Sequence, residues 1–292
     1  MLQSKPDREI SPPTIAKLRK SMKACLNQDT IRTTTTDHFI PIAKSAGFQA
    51  IELTIDKVEP ILASNSLKTL VTVIQQNELE VASINGPENF NLISQQQFSQ
   101  LKERTRKLAE ASRELNCALL VPVPSPLTKE MPRDEIRAQT ANSLTQLADC
   151  CGDDINLGLE FLGGSDCSVK DLDSAIQIIK TVDRSNVGLV LDSFHLYLSG
   201  FRFSESELID PDKVFMVHVN DSEPGDRASL RDCNRVFPGR GVIDLKQFGK
   251  GLAKIRYDGY LSLELLRPSY WEEDPERIAK IGRESLREVF GV

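Results

Sequence analysis

The chain has 292 residues, and its 40% hydrophobic and 27% charged content is ordinary for a soluble globular enzyme. Its formal net charge of −6 argues against a nucleic-acid partner, because such proteins usually carry a basic surface. No stretch approaches the roughly 18 apolar residues of a membrane span, and residues 1–20 lack the apolar core of a signal peptide.

Residues 1–20 come before the first predicted strand, and we expect them to form a short N-terminal extension. From there the chain alternates between strand-like and helix-like segments. The strand-like segments are almost continuously apolar, which is typical of parallel strands buried on both faces. They cover residues 22–27, 48–54, 80–86, 118–124, 156–162, 187–193, 214–220 and 259–266.

The intervening segments carry helix start signals. Ser94 and Asp244 are each followed three residues later by Gln, as in a capping box, and Asp274 precedes a proline. Repeated β/α units without a break in composition predict a single α/β domain over residues 21–292, a (β/α)₈ TIM barrel. An open doubly wound sheet is the alternative, but no GxGxxG motif follows the first strand.

Four of the apolar runs each contain one ionisable residue. These are Glu160 in LGLEFLG, Asp192 in GLVLDSFH, His218 in FMVHVND and Glu264 in LSLELL. Burial of such a side chain is costly unless it is paired or bound to a metal ion. Three carboxylates and one imidazole make a hard, oxygen-rich ligand set for a divalent cation.

The positions of these residues along their strands support the same interpretation. Each lies near the carboxyl end of its strand, where TIM barrels build their active sites. Neighbouring strands are about 4.8 Å apart, so side chains from four of them can meet at one ion. We therefore predict one bound divalent metal ion, with manganese, cobalt or zinc favoured and magnesium also compatible.

At these residues the sequence resembles the sugar phosphate isomerase/epimerase family of xylose-isomerase-like TIM barrels. The resemblance is strong from about residue 156 to 290 and weaker from about residue 22. It departs from the related isomerases at Tyr197, where they have a second histidine, and at Gly163–Gly164, which replaces a less flexible turn. The segments that carry it are LGLEFLGGSDCSV, NVGLVLDSFHLYLSG, VFMVHVNDSE, RVFPGRGVIDL and LSLELLRPSYW.

The resemblance implies a role for each site residue. Glu160 and Glu264 would act as an acid/base pair and, with Asp192 and His218, would ligate the metal ion. His195 and Arg235 match positions that hold substrate oxygens. Asp221 would support the site by fixing a ligand or a neighbouring arginine, although it is equally suited to capping a loop.

The implied function is isomerisation or epimerisation of a keto-polyol, such as an inosose, or of a ketose, by proton transfer through an enediolate. The alternative is a dehydratase of the 3-dehydroshikimate type. Apurinic endonucleases share this barrel, but three histidines and a negative charge disfavour that function. A non-catalytic sugar-binding or regulatory module is disfavoured, because all four potential metal ligands are intact.

The expected partner is a small sugar or cyclitol. Phosphorylation of the substrate stays open, because the PGRG segment after Arg235 suits either a phosphate cradle or a simple turn. The protein could also form a homo-oligomer, and the sequence leaves its oligomeric state open. The cysteines show neither a CxxC pair nor the spacing of a disulfide framework, which favours reduced thiols and a cytoplasmic protein.

Overall fold

The computed structural model describes residues 22–164, 166–202 and 209–292, so the predicted extension at 1–20 lies outside the described residues. The strands of the described part are β1 (Lys23–Asn27), β2 (Ala50–Thr54), β3 (Glu80–Glu88), β4 (Leu119–Val123), β5 (Asn156–Glu160), β6 (Val187–Asp192), β7 (Val214–Val219), β8 (Asp221–Ser222), β9 (Arg235–Val236) and β10 (Tyr260–Leu263).

The helices are α1 (Thr36–Ala46), α2 (Ile55–Ala63), α3 (Leu67–Gln76), α4 (Gln95–Glu114), α5 (Arg133–Cys151), α6 (Leu172–Val182), α7 (Ser193–Leu198), α8 (Leu245–Lys254), α9 (Pro268–Trp271) and α10 (Pro275–Phe290). Short 3₁₀ turns cover Gln28–Ile31, Pro211–Lys213 and Asp232–Asn234. The buried faces of the longer helices pack against the outside of the strands and form the larger hydrophobic core.

The strands close into a parallel barrel in the order β1-β10-β7-β6-β5-β4-β3-β2, which confirms the predicted TIM barrel. Each predicted strand segment coincides with one barrel strand. Ser94 forms the expected capping box at the start of α4, Asp244 caps α8 by accepting from the Gln247 N–H, and Asp274 caps α10 ahead of a proline. The short antiparallel pair β8–β9 was not predicted, because two-residue strands leave no periodic pattern.

The barrel interior is layered because alternate residues of every strand point inward. One buried layer is apolar and consists of Cys25, Ala50, Ala82, Leu119, Val121, Val190 and Met216. Residues nearer the carboxyl ends of the strands are polar, and the register pairs Asn27 with Glu52 and Asp192 with His218. The apolar layer therefore separates the polar layer from the other end of the barrel.

Candidate metal centre

Four ionisable side chains meet at the carboxyl-terminal mouth of the barrel. Glu160 and Asp192 end β5 and β6, His218 lies in β7, and Glu264 directly follows β10. One potential ligand atom from each lies within 4.8 Å of the others, and all four residues are buried. The structure thus brings together the residues that the sequence singled out.

His218 is the centre of this cluster. Its Nδ1 lies 2.8 Å from Oε1 of Glu160 and 3.3 Å from Oε2 of Glu264. Burial alone would lower the pKa of His218, but the facing carboxylates, Glu264 first, outweigh burial and raise it. Burial raises the pKa of Glu160 to about 7, and the nearby charge of Glu264 adds to that effect. A positive charge placed among these carboxylates therefore stabilises the cluster.

Asp192 is fixed by bonds to both of its oxygens. Oδ1 accepts from the backbone N–H groups of Phe194 and His195 at 2.7 and 2.9 Å, so Asp192 caps α7. Oδ2 accepts from Nδ2 of Asn220 and from Nη1 of Arg235, both at 2.9 Å. Burial favours protonation of Asp192, but the Arg235 charge dominates the opposing effects and the pKa is lowered to about 2.

Arg235 reaches into the same cluster although only 1% of it is exposed. Its Nη1 bridges Asp192 and Glu264, at 2.9 and 2.8 Å, and its Nε donates to Asp232. Nη2 donates to Nε2 of His195 at 3.0 Å. Since arginine has only donors, Nε2 of His195 must accept and Nδ1 must carry the ring proton of a neutral imidazole.

The Nδ1 of His195 has no hydrogen-bond partner in the described structure and is buried. A buried donor without a partner is costly, so such groups in native proteins usually have a function. His195 also lines the cavity at the mouth.

Asp221 organises a loop instead of contacting the cluster directly. Its carboxylate accepts from the backbone N–H groups of Ser222, Gly239, Gly241 and Ile243 at 2.8 to 3.0 Å. These bonds match the loop-capping alternative. They also bind the PGRG segment to an internal carboxylate, so its N–H groups form no open phosphate cradle. Asp221 can influence the site through the β8–β9 pair, since β9 carries Arg235.

Several buried or half-buried polar residues that support this cluster were not predicted from the sequence. Glu52 accepts from Nε2 of His218, with the two atoms 3.1 Å apart, and Asn27 and Asn85 donate to Oε1 of Glu264 at 3.0 and 3.1 Å. Glu52 lies in the apolar segment AIELT, so the signal that identified the other ionisable residues was present there too. The asparagines carry no charge and gave no comparable signal.

Two adjoining cavities open onto the site. One of about 320 Å³ is lined by Glu160, His195, Arg235 and Glu264. A second, also about 320 Å³, shares His195 and has apolar walls that include Phe194. This space suits a molecule of sugar size.

The donor set fits a divalent cation. Three carboxylates and one imidazole offer hard ligands at close range, and the one guanidinium among them leaves the cluster with excess negative charge. Glu52 fixes the imidazole from its other side, as carboxylates commonly do for metal-binding histidines.

Gly163 allows the loop after β5 to pack against α7, which carries His195. A Cβ at Gly163 would lie 2.3 Å from the backbone oxygen of His195, whereas one at Gly249 in α8 would make an ordinary 3.4 Å contact with Phe290. We expect Gly163→Ala to lower the free energy of unfolding by about 1–3 kcal/mol, while Gly249→Ala is neutral or stabilising by up to about 1 kcal/mol. Urea unfolding measures both, and equal stability of the two variants would contradict the close approach.

The chain is similar to known proteins along most of its length. The family model described as "Xylose isomerase-like TIM barrel" matches residues 40–289. The chain is 30% identical over 271 residues to an inosose isomerase of Bacillus velezensis, covering 92% of this chain and 97% of that protein. A shorter match is to a D-psicose 3-epimerase of Ruminiclostridium cellulolyticum, which is 27% identical and covers 44% of this chain and 40% of that protein. Another is to a 3-dehydroshikimate dehydratase of Pseudomonas aeruginosa, which is 31% identical and covers 46% of this chain and 21% of that protein.

Among solved structures, an IolI protein with a bound zinc atom matches with a TM-score of 0.88 at 28% identity. The match covers 92% of this chain and 98% of that one. In the described part of the present structure, no helix is both long enough and apolar enough to span a membrane.

Proposed function

This chain belongs to the xylose isomerase-like TIM barrel family, and from that premise we propose that it is a metal-dependent isomerase or epimerase of a keto-polyol or ketose. Its relatives support an isomerase or epimerase activity, and the inosose isomerases among them make an inosose the first substrate to test. The observation that carries the proposal is the buried convergence of Glu160, Asp192, His218 and Glu264 at the barrel mouth.

In this proposal those four residues hold one divalent ion, with manganese, cobalt or zinc favoured and magnesium compatible. Such an ion would stabilise the negative charge that develops on a carbonyl oxygen when the neighbouring carbon loses a proton. The excess negative charge of the cluster and the position of Glu52 behind His218 support this assignment.

Glu160 and Glu264 supply the proton transfer. Both carboxylates line the same cavity, so both can reach a bound substrate. One carboxylate takes the proton from the carbon beside the carbonyl, and the electron pair of the broken C–H bond moves toward the carbonyl oxygen to give an enediolate. A proton returned to the same carbon on its other face yields an epimer. A proton delivered instead to the former carbonyl carbon yields an isomer, provided that the proton of the neighbouring hydroxyl moves to the former carbonyl oxygen.

His195 and Arg235 orient the substrate. The unpartnered Nδ1–H of His195 donates to a substrate oxygen, which satisfies a buried donor. Arg235 holds the carboxylates in place and presents a positive charge to the same space. Neither residue needs to exchange a proton with carbon, so both serve in positioning.

A dehydratase reaction is the second candidate, and the partial match to a 3-dehydroshikimate dehydratase favours it. The first step is the same proton removal, after which a hydroxide leaves from the carbon next to the deprotonated one and a double bond remains. A panel of keto-inositols, ketoses and dehydroshikimate, followed by NMR in D₂O, distinguishes the two. Isomer formation with solvent deuterium beside the carbonyl supports isomerisation, and loss of water from dehydroshikimate alone overturns it.

Protein purified without chelator should contain about one equivalent of a divalent metal, because four ligand atoms converge at one point. Glu160→Gln and His218→Ala should each lower that content, as measured by elemental analysis. Glu103→Gln, which removes an exposed carboxylate on α4, is the matched control and should leave it unchanged. Unchanged metal content in the first two variants would mean that the site has been misplaced.

A further inference from the structure

Glu52 is a fully buried carboxylate that the proposed reaction does not use. It lies on β2, and its hydrogen-bond donors come from four other strands or strand ends around the barrel. Oε1 accepts from Ser83 Oγ at 2.7 Å and His218 Nε2 at 3.1 Å, and Oε2 accepts from Asn27 Nδ2 at 2.8 Å and Ser262 Oγ at 2.7 Å.

This arrangement fixes the direction of the bond to His218. An ionised carboxylate only accepts hydrogen bonds, so the ring nitrogen that faces Glu52 must carry a proton. In a neutral imidazole the other nitrogen then keeps its lone pair. That nitrogen is Nδ1, which lies 2.8 Å from Oε1 of Glu160 and 3.3 Å from Oε2 of Glu264.

We propose that Glu52 is a positioning residue that holds His218 with Nε2 protonated and leaves Nδ1 to bind the cation. The inference rests on the proposed function, because it assumes that the cluster takes up a metal ion. The negative charge of Glu52 also makes the imidazole a stronger ligand, since it stabilises positive charge on the ring. The ring is fully buried, and hydrogen-bond contacts with Glu52 on one side and Glu160 on the other hold its orientation.

Glu52→Gln tests the charge with little change in shape. The variant keeps a side chain of the same length, but its amide can donate to Nε2 and so stabilise the wrong tautomer. We expect zinc affinity, measured by competition with a chromophoric chelator, to fall about 10–100-fold. Glu103→Gln makes the same chemical change at an exposed carboxylate on α4 that pairs with Arg106, and it should leave zinc affinity at the wild-type value.

The outcomes separate the two proposals. Wild-type protein that binds no zinc would overturn this inference, and the proposed function falls with it if manganese, cobalt and magnesium do not bind either. Wild-type protein that binds zinc with an affinity unchanged in Glu52→Gln would overturn the inference alone.

NMR of the wild-type protein gives a readout that does not depend on the variant folding. The chain has only three histidines, so the ¹⁵N signals of His218 can be assigned with His38→Gln and His195→Gln. On zinc addition we expect the Nδ1 signal of His218 to shift as a metal-bound nitrogen, while Nε2 keeps its proton. Zinc binding through Nε2, or an Nε2 without a proton in the zinc-loaded protein, would overturn the role of Glu52.

Discussion

Replacing Glu160 or Glu264 with glutamine should lower the turnover number on a keto-polyol substrate by about 10²–10⁴-fold, the usual contribution of a positioned acid or base. Glutamine keeps the length of the side chain but cannot take or return a proton. Weaker ligation by an amide adds to the loss. Steady-state kcat with metal in excess measures the effect, and His195→Ala should cost much less, because His195 orients the substrate without accepting its proton.

The matched control is Glu103→Gln, which removes an exposed carboxylate on α4 paired with Arg106 and should leave kcat unchanged. A substrate with deuterium at the carbon beside the carbonyl tests the chemistry itself. Proton transfer predicts exchange of that label with solvent. A large isotope effect with full retention of the label and no solvent incorporation would contradict it and would indicate a hydride shift.

Arg235→Met should lower the free energy of unfolding of chelator-treated protein by about 3–5 kcal/mol. The substitution removes a guanidinium that pairs with both Asp192 and Glu264, and uncompensated buried carboxylates are costly. A divalent cation neutralises the same carboxylates, so saturating zinc should stabilise this variant more than it stabilises the wild type. Urea unfolding with and without zinc measures both effects.

Arg104→Met provides the comparison for that experiment. Arg104 pairs with Glu59 in an ion pair whose side chains are 48% and 38% exposed. Loss of an exposed pair costs about 1 kcal/mol or less, and zinc should not change the difference. Equal destabilisation by the two substitutions would show that Arg235 stabilises the fold no more than an exposed ion pair does.

The barrel could be predicted from the sequence because its strand segments are almost continuously apolar and three of its helices begin with clear cap signals. A continuously apolar run such as VGLVLDS is typical of a parallel strand that is buried on both faces. The β8–β9 pair could not be predicted in the same way, because a two-residue ladder depends on where the chain returns. Asp221 illustrates this: its partners at Gly239, Gly241 and Ile243 are 18 to 22 residues away.

The four ionisable residues at the mouth could be singled out because a charge in an apolar run is conspicuous. The structure brings them together, while their role as ligands stays a prediction. Glu52 gave the same signal but was not singled out. Its strand, β2, is not among the four adjacent strands that carry the other residues, although its side chain reaches His218 across the barrel interior. Asn27 and Asn85 could not have been found, because neutral amides at strand ends are common in loops and turns.

The position of β10 between β1 and β7 has a consequence for the order of assembly. Glu264 reaches its place only when the two ends of the barrel have joined, and its bond to Asn27 spans 237 residues of chain. Contacts over so long a loop carry a large entropic cost and form late. Ion capture would then mark the last stage of folding, so a metal-sensitive dye in a refolding experiment would time barrel closure.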